Sequence, residues 1–383
     1  MKKIIILFIL LFALASCSPE ENTIVVDNDL KIKTLSADKL SSSYVSWYGR
    51  HEYKDNQMYF YNTATGFKIE FIGSAISIDL LLTDKNNDIY FSTAKDEASL
   101  LDGDIFVLSE EEQTLLVTYD TYELHQFELV KRSEPEDGIT SVMTFETNGE
   151  FQEVTIDEMQ THFLLIGASG ISGHGALGNA GEARTTENSS SLHSFGYLTA
   201  NQFDGSFEFV SNSGWGLAFG YNDTTGKNNI VKAYESVGID ADEQIVSTTY
   251  DHEVVPDVII VNIGGNDYSA VINKLTGFSK EEKIQEFKTA VQTFILKLRA
   301  DAPNAHIFWT MTEGSLNGAA AVSAISLLSA SDQNYVHVVV ILGVGDENTA
   351  VGADNHCSYE THLLSSEILV NEIESYTDLI AKE

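Results

Sequence analysis

Short apolar runs separated by turn residues fill the first part of the chain after a polar stretch. Apolar and polar residues alternate with a period of two over 66–72 and again over 75–80, and three further short apolar runs follow before residue 131. This alternation is typical of strands that bury one face and expose the other. The spacing predicts an antiparallel β-sandwich of the jelly-roll type over residues 31–153.

The pattern changes at about residue 158. Continuous apolar runs at 163–166, 258–263 and 306–309 are typical of parallel strands buried on both faces. Amphipathic helical windows separate these runs, and Ser-Lys-Glu-Glu at 279–282 predicts a capping box that opens a helix. Strands that alternate with helices predict an α/β three-layer domain with a parallel sheet over residues 158–383.

The first residues have the pattern of an export signal. Two lysines precede an apolar run at 4–15, which is shorter than the roughly 20 residues that a membrane-spanning helix needs. The run ends in Leu-Ala-Ser-Cys, which resembles a bacterial lipobox. The resemblance implies a lipoprotein signal peptide at 1–17, lipid modification of Cys17 and a tether at 18–30. We therefore expect a lipid anchor in the bacterial cell envelope, at the outer membrane, facing the periplasm or the surface; the alternative is an ordinary signal peptide.

Charge and cysteine content narrow the possible partners. The chain has 57 acidic and 22 basic residues, which gives a formal net charge of −35. Such a surface repels phosphates, so we expect no nucleic-acid partner. Apart from Cys17, the remaining cysteine is Cys357, so no disulfide is expected within the mature chain, which we expect to be a monomer.

A serine lies in a glycine-rich loop directly after the first predicted parallel strand. Ser169 stands within 167–175, where glycines allow the backbone to turn sharply and expose a hydroxyl. The loop lacks the second glycine of the G-x-S-x-G nucleophile elbow, because Ile171 occupies that position. By itself the loop could also bind phosphate, although no Gly-Lys-Ser/Thr follows it.

Two later loops carry complementary chemistry. Asn266 follows the apolar run at 258–263, and an asparagine amide at a strand end can donate to an oxyanion, although the same residues could form an ordinary turn. Asp354 precedes His356 by two residues, so its carboxylate could receive the ring Nδ1–H and leave Nε2 to accept a proton. The alternative is a solvated histidine before the last helix. Parallel strands bring such loops to one edge of the sheet.

In this order, the serine, the Gly-Gly-Asn-Asp segment and Asp-x-His resemble the SGNH (GDSL-like) hydrolase superfamily. The resemblance implies that Ser169 is the nucleophile, that His356 is the general base and that Asp354 orients it. Asp354 could do so through its carboxylate, which gives a triad, or through its backbone carbonyl oxygen if the carboxylate points away, which leaves a dyad. It also implies an oxyanion hole formed by the N–H groups of Ser169 and Gly214 and by the amide of Asn266. It implies no cofactor. Asp354 and His356 alone do not make a metal site, and we predict none.

A β-sandwich ahead of such a domain resembles carbohydrate esterase family 2. Matching stretches lie at 47–50, 67–73, 256–262 and 303–308. The resemblance implies a carboxylic ester hydrolase of the acetylxylan-esterase kind. Such an enzyme removes O-acetyl groups from a polysaccharide or oligosaccharide through an acetyl-enzyme intermediate.

Several residues depart from the family pattern or are candidates for substrate binding. Ala168, Asn355 and Cys357 replace residues that are common beside the nucleophile and around the general base. Asn355 should form a wall of the acceptor pocket, and Trp215 could stack on a sugar or brace the core. Cys357 is interpreted as a small filler. If the departures reflect lost catalysis, the alternative is a surface glycan-binding lipoprotein with an inactive hydrolase-like domain; a lipase of the same superfamily is a third possibility.

Overall fold

The computed structural model of the protein describes residues 33–154, 160–221, 225–226, 229–252 and 254–382. The predicted signal peptide, Cys17 and the tether at 18–30 lie outside the described residues. Residues 155–159, between the two predicted domains, are not described either, so the domain boundaries stay predictions. Within the described part of the chain, no helix combines the length and apolar character needed to cross a membrane.

The N-terminal part is one antiparallel sheet. Its core path runs β3-β4-β9-β5-β8-β6-β7, while β1 pairs with β9, and β2 and β10 pair with β5. The strands described here are β1 (Lys33–Leu35), β2 (Val45–Tyr48), β3 (Glu52–Lys54), β4 (Gln57–Phe60), β5 (Gly66–Thr83), β6 (Ile89–Lys95), β7 (Ile105–Leu108), β8 (Glu112–Lys131), β9 (Ile139–Thr147) and β10 (Glu150–Gln152).

Period-two burial along the longest strands explains why this sheet forms. Phe67, Ile69 and Phe71 of β5 are fully buried, and Phe67 meets Phe145 of β9 edge-on with 4.9 Å between ring centroids. The register between β5 and β8 shifts after Gly73, and such a bulge bends a strand and helps a long sheet to curl over its own core. The predicted antiparallel sheet is therefore confirmed, and its jelly-roll topology stays a prediction.

The C-terminal part has a parallel sheet in the order β12-β11-β13-β14-β15. Its strands are β11 (His162–Gly167), β12 (Ser206–Ser211), β13 (Val258–Asn262), β14 (His306–Thr312) and β15 (Val336–Ile341). Its described helices are α1 (Ser169–Ser172), α2 (Phe195–Gln202), α3 (Ile230–Tyr234), α4 (Gly265–Ala270), α5 (Gly277–Asp301), α6 (Leu316–Ile325), α7 (Ala330–Gln333) and α8 (Tyr359–Tyr376). The predicted parallel-sheet domain is confirmed.

Both faces of the parallel sheet are covered. Leu164 and Ile166 of β11 pack in a cluster with α5 and α6, whereas Phe163 and Leu165 pack in another with α2 and α8. This is why the strands read as continuous apolar runs. Helix α5 begins at Gly277, two residues before the predicted capping box at 279–282, and the extended residue Thr276 precedes it. The capping-box prediction was therefore wrong in its position.

A buried arginine joins the two parts of the chain. Arg50, between β2 and β3, is fully buried, and its Nε lies 2.8 Å from Glu208 Oε1 on β12. Its Nη1 donates to the carbonyl oxygens of Tyr234 at 2.6 Å and Ser236 at 2.7 Å. The guanidinium lies 4.0 Å from the centroid of the Tyr250 ring. The antiparallel sheet is thus fixed to the parallel-sheet domain by charge-assisted contacts.

Candidate active site

Ser169 stands at the first turn after β11. A side chain on Gly167 would place Cβ 2.5 Å from the Asn262 carbonyl oxygen, so only glycine allows this close approach of β11 and β13. Ala168 then leads into α1, of which Ser169 is the first residue, and the serine is half-buried. Ile171, the residue that breaks the nucleophile-elbow motif, is fully buried and anchors α1 in the core.

Two of the three predicted oxyanion donors, Gly214 and Asn266, lie on neighbouring segments of the chain. Gly214 follows β12 with a φ of 76°, a conformation that favours glycine. Asn266, in α4, donates through Nδ2 to the carbonyl oxygen of Trp215 at 2.8 Å. The amide of Asn266 therefore holds the loop that contains Gly214, which fixes the two predicted donors relative to each other.

Asp267 braces the same loop from beneath, a role that sequence reasoning missed. Its carboxylate is fully buried and accepts the backbone N–H groups of Leu217, Ala218 and Phe219 at 2.7–3.0 Å. Burial raises the pKa of Asp267, while these three hydrogen bonds act in the opposite direction. The sequence showed Asn266 and Asp267 side by side. It did not show that Asn266 would be a donor and that Asp267 would support the loop that contains Gly214.

Of the two predicted substrate-binding residues, Trp215 requires a correction. Its side chain is fully buried in the core cluster beside α5, so it cannot offer an exposed face to a sugar. The core alternative fits the structure because the residue after Gly214 turns inward. Asn355 is exposed, adopts a φ of 54°, and lines a cleft together with Ser169 and His356.

The general-base candidate is held by a main-chain oxygen. His356 Nδ1 lies 2.9 Å from the backbone carbonyl oxygen of Asp354, and an Nδ1–H donated there leaves the lone pair on Nε2. Asp354 has a left-handed conformation with φ 51° and ψ 34°. Burial, assisted by the charge of His174, lowers the pKa of His356, which favours the neutral ring that a base requires.

The Asp354 carboxylate contacts a different histidine. Asp354 Oδ2 lies 3.2 Å from His174 Nε2, and the centroid of the His174 ring is 4.3 Å from that of His356. His174 Nδ1 faces Ser213 Oγ at 2.9 Å and Glu134 Oε1 at 3.3 Å. Burial opposes the charged form of His174, but the hydrogen bond and the charge of Glu134 raise its pKa.

Neither His174 nor Glu134 was identified as a site residue from the sequence. His174 was visible inside the glycine-rich loop at 167–175 without a partner to give it a role. Glu134 is fully buried and lies between β8 and β9, on the antiparallel-sheet part of the chain. Glu134 contacts His174 only because the antiparallel sheet packs against the parallel-sheet domain, so no local sequence pattern identifies it.

The structure brings the predicted chemical groups to one cleft of about 430 Å³. Its lining residues are Glu136, Ser169, His174, Ser213, Gly214, Tyr221, Glu243, Asn266, Asp354 and His356. The predicted nucleophile, base and oxyanion donors are therefore neighbours, and their individual roles stay predictions. Burial raises the pKa of the neighbouring Cys357 thiol to about 11, so near neutral pH it is a protonated side chain and not a nucleophile.

The fold and this cleft define a class of protein: a parallel-sheet domain with a serine and a histidine in one cleft at an edge of the sheet, preceded by an antiparallel sheet. No family model matches the chain. Among curated proteins, it is 26% identical over 263 residues to a cellulase/esterase of Acetivibrio thermocellus, covering 66% of this chain and 30% of that protein. It is 22% identical over 227 residues to an acetylxylan esterase / glucomannan deacetylase of Cellvibrio japonicus, covering 57% and 62% of the two. The chain thus spans about a third and about three fifths of these relatives.

Solved structures extend the likeness to nearly the whole chain. An acetyl xylan esterase from the rumen bacterium Butyrivibrio proteoclasticus superposes with a TM-score of 0.76 and 21% identity, covering 90% of this chain and 99% of that one. A family two carbohydrate esterase from Clostridium thermocellum, in complex with cellohexaose, gives 0.74 and 23%, covering 86% and 98%. At these identities the structures establish the fold. The resemblance to carbohydrate esterase family 2 that the sequence predicted is confirmed.

Proposed function

We propose that the protein is a serine esterase that removes O-acetyl groups from carbohydrates through an acetyl-enzyme intermediate. The observation that carries this proposal is the position of His356: it lines the same cleft as Ser169, and its Nδ1 is held by the Asp354 carbonyl oxygen. A ring held in this way presents Nε2 as the proton acceptor that a serine nucleophile needs. The curated relatives, which are named a cellulase/esterase and an acetylxylan esterase / glucomannan deacetylase, support the carbohydrate substrate.

The reaction proceeds in two proton-coupled halves. His356 Nε2 takes the proton of Ser169 as Oγ attacks the acetyl carbonyl carbon, and the carbonyl π electrons move to the oxygen. When the tetrahedral intermediate collapses, the C–O bond to the sugar breaks and His356 returns its proton to the departing alkoxide. A water molecule, deprotonated by the same ring, then attacks the acetyl-enzyme. The bond from the acetyl carbon to Ser169 Oγ breaks, and His356 returns its proton to the serine oxygen as acetate leaves. No step requires a cofactor.

Three donors would stabilise the developing oxyanion. The N–H groups of Ser169 and Gly214 stand at the ends of neighbouring parallel strands, and Asn266 stands at the start of α4. The Asn266 amide has two hydrogens, so holding the Trp215 carbonyl with one leaves the other for the oxyanion. One such donor contributes roughly 3 kcal/mol to lowering the barrier.

The nucleophile is tested by replacing Ser169 with alanine. We expect turnover of p-nitrophenyl acetate to fall by at least about 10⁴-fold, because no other group supplies the attacking oxygen. Ser269→Ala, which alters an exposed serine of α4 beside the cleft, is the matched control and should retain activity. Labelling of the unaltered protein by a fluorophosphonate should depend on Ser169. Full activity of Ser169→Ala contradicts the nucleophile assignment, and no labelling of the unaltered protein would favour an inactive, glycan-binding domain.

The acetylated glycan is assigned by acetate release. Acetylated xylan, glucomannan and mannan should all be compared, because Asn355 stands in the acceptor region where it departs from the family pattern. The cellohexaose complex of the Clostridium thermocellum esterase supports a β-linked glucan chain as a ligand. Release from long-chain esters in preference to acetyl esters would favour a lipase instead.

We further propose that the antiparallel sheet has jelly-roll topology over 31–153 and that 158–383 form the hydrolase domain.

We also propose that Cys17 carries a lipid anchor to the bacterial envelope. The lipobox-like Leu-Ala-Ser-Cys supports the anchor. Cys17→Ala should move the protein from the membrane fraction to the soluble fraction of cells that express the whole chain. Retention of that variant in the membrane fraction would contradict the anchor. Sedimentation of the purified protein tests the expected monomer.

A further inference from the structure

The general-base candidate His356 and two side chains beside it have the donor set of a metal site. One ring nitrogen each of His174 and His356 and one carboxylate oxygen of Asp354 lie within 4.8 Å of one another. Two imidazoles and a carboxylate are the protein ligands of many zinc sites that keep an open fourth position. The sequence predicted no metal site because it offered no partner for Asp354 and His356. The fold supplies His174 as that partner.

The spacing of the donors suits a tetrahedral ion. Ligand atoms about 2.0 Å from Zn²⁺ at tetrahedral angles lie roughly 3.3 Å apart. His174 Nε2 and Asp354 Oδ2 are already 3.2 Å apart. The widest separation in the cluster is at most 4.8 Å, so closing it requires shifts of roughly 1 Å, which side-chain rotation supplies because the Asp354 carboxylate is exposed.

The Nδ1 atoms of His174 and His356 each lie next to an oxygen atom, as the second ring nitrogen of a metal-bound histidine usually does. His174 Nδ1 faces Ser213 Oγ and Glu134 Oε1, and His356 Nδ1 faces the Asp354 carbonyl oxygen. An Nδ1–H donated to an oxygen fixes the ring and leaves Nε2 to bind the metal. Glu134 is itself buried and accepts the Ser213 N–H at 2.7 Å, so the support is rigid.

We propose that His174, Asp354 and His356 bind a divalent transition-metal ion of the zinc type, and that the bound ion reversibly blocks the esterase. The nitrogen ligands favour Zn²⁺ over Mg²⁺ or Ca²⁺, which prefer oxygen. Glu243 lines the same cleft and adds negative charge that attracts a cation. The block follows because the Nε2 lone pair that would accept the Ser169 proton is donated to the metal. Only the inhibition, and not the metal binding, rests on the proposed function.

Binding is tested with Zn²⁺ alone, by calorimetric titration of the chelator-treated full chain. We expect one ion per chain, and an affinity at least about ten-fold weaker in His174→Gln and in Asp354→Asn, because each removes a ligand. His306→Gln is the control: His306 forms a pair with His337 at the start of β14, the opposite end of the parallel sheet from the cleft, and should not change the affinity. Circular dichroism confirms that each variant is folded. If His174→Gln does not fold, Asp354→Asn still tests the site, because the Asp354 side chain is exposed and its replacement should not disturb the fold.

Inhibition is measured separately on p-nitrophenyl acetate. Zn²⁺ should abolish turnover with a midpoint that matches the calorimetric affinity, and excess chelator should restore it. No binding by the unaltered chain, or unchanged affinity in both ligand variants, overturns the metal site. Binding without inhibition would leave the metal site standing and overturn the block, and with it the role of His356 as base. Loss of esterase activity in every preparation would contradict the proposed function while the calorimetry still decides the site.

Discussion

Replacing Asp354 with asparagine separates two ways of orienting His356, the proposed general base. If the carboxylate received the His356 Nδ1–H, as the sequence first suggested, the substitution would favour the wrong tautomer and lower kcat by about 10⁴-fold. In the structure the acceptor is the backbone carbonyl oxygen of the same residue, at 2.9 Å. That oxygen is unchanged by any side-chain substitution. The tautomer should therefore survive in Asp354→Asn.

What the substitution removes is a negative charge near the ring. A carboxylate oxygen of Asp354 lies within 4.8 Å of a nitrogen of His356, and the carboxylate is more than half exposed. At that separation in water, two unit charges attract by about 0.9 kcal/mol. The imidazolium formed during catalysis should lose about that much stabilisation, which corresponds to roughly a five-fold lower kcat.

Steady-state hydrolysis of p-nitrophenyl acetate in the presence of a chelator measures this effect. The chelator removes any ion bound at His174, so that the assay reports the base alone. Asp354→Ala should behave like Asp354→Asn, since both keep the main-chain carbonyl. A loss of 10³-fold or more in both variants would refute the reasoning and restore the carboxylate as the orienting group.

Three further outcomes follow from the same structure. Asn266→Ala should lower kcat for p-nitrophenyl acetate by about 10²–10³-fold through loss of an oxyanion donor, and an unchanged kcat would remove Asn266 from that role. Arg50→Met should lower the free energy of unfolding in urea by about 3–5 kcal/mol because it leaves Glu208 buried without its partner, whereas Arg50→Met/Glu208→Leu should recover part of the loss. A cost below about 1 kcal/mol would show that the pair is dispensable. Burial lowers the pKa of Lys131 to about 7, so between pH 7 and 10 the unfolded chain binds more protons and the unfolding free energy should rise with pH. Lys131→Met should flatten that rise in urea titrations at several pH values, and an identical slope would contradict it.

The strands could be predicted wherever burial is purely apolar. The runs at 163–166 and 258–263 became β11 and β13 because both of their faces pack on helices. The edge strand β12 was missed, and its composition explains why. Glu208 sits in the middle of β12 and is buried there with Arg50, which lies 158 positions earlier in the chain. A charge inside a strand looks like a break in the pattern until its distant partner is known.

The same limit applies to the site. Ser169 and Asn266 follow strands that the sequence predicts, and His356 precedes the last predicted helix, so their meeting at one edge of the sheet could be foreseen. The direction in which each side chain points could not be foreseen. The left-handed conformation of Asp354 puts its carbonyl oxygen, and not its carboxylate, against His356, and the inward turn of Trp215 removes it from the cleft.

The antiparallel sheet is a structural part of the candidate active site and not an appended module. Glu134, on the loop between β8 and β9, is fully buried against His174, and Glu136 of the same loop lines the cleft. Thr63 and Ser191 join the two parts again through hydroxyls 2.7 Å apart. Separating the parts would expose or unpair each of these groups, at a cost that grows with every buried charge. The parallel-sheet domain should therefore keep its cleft only when the antiparallel sheet folds against it. If a sugar binds beside Ser169 as proposed, the loop between β8 and β9 should form part of the wall around it.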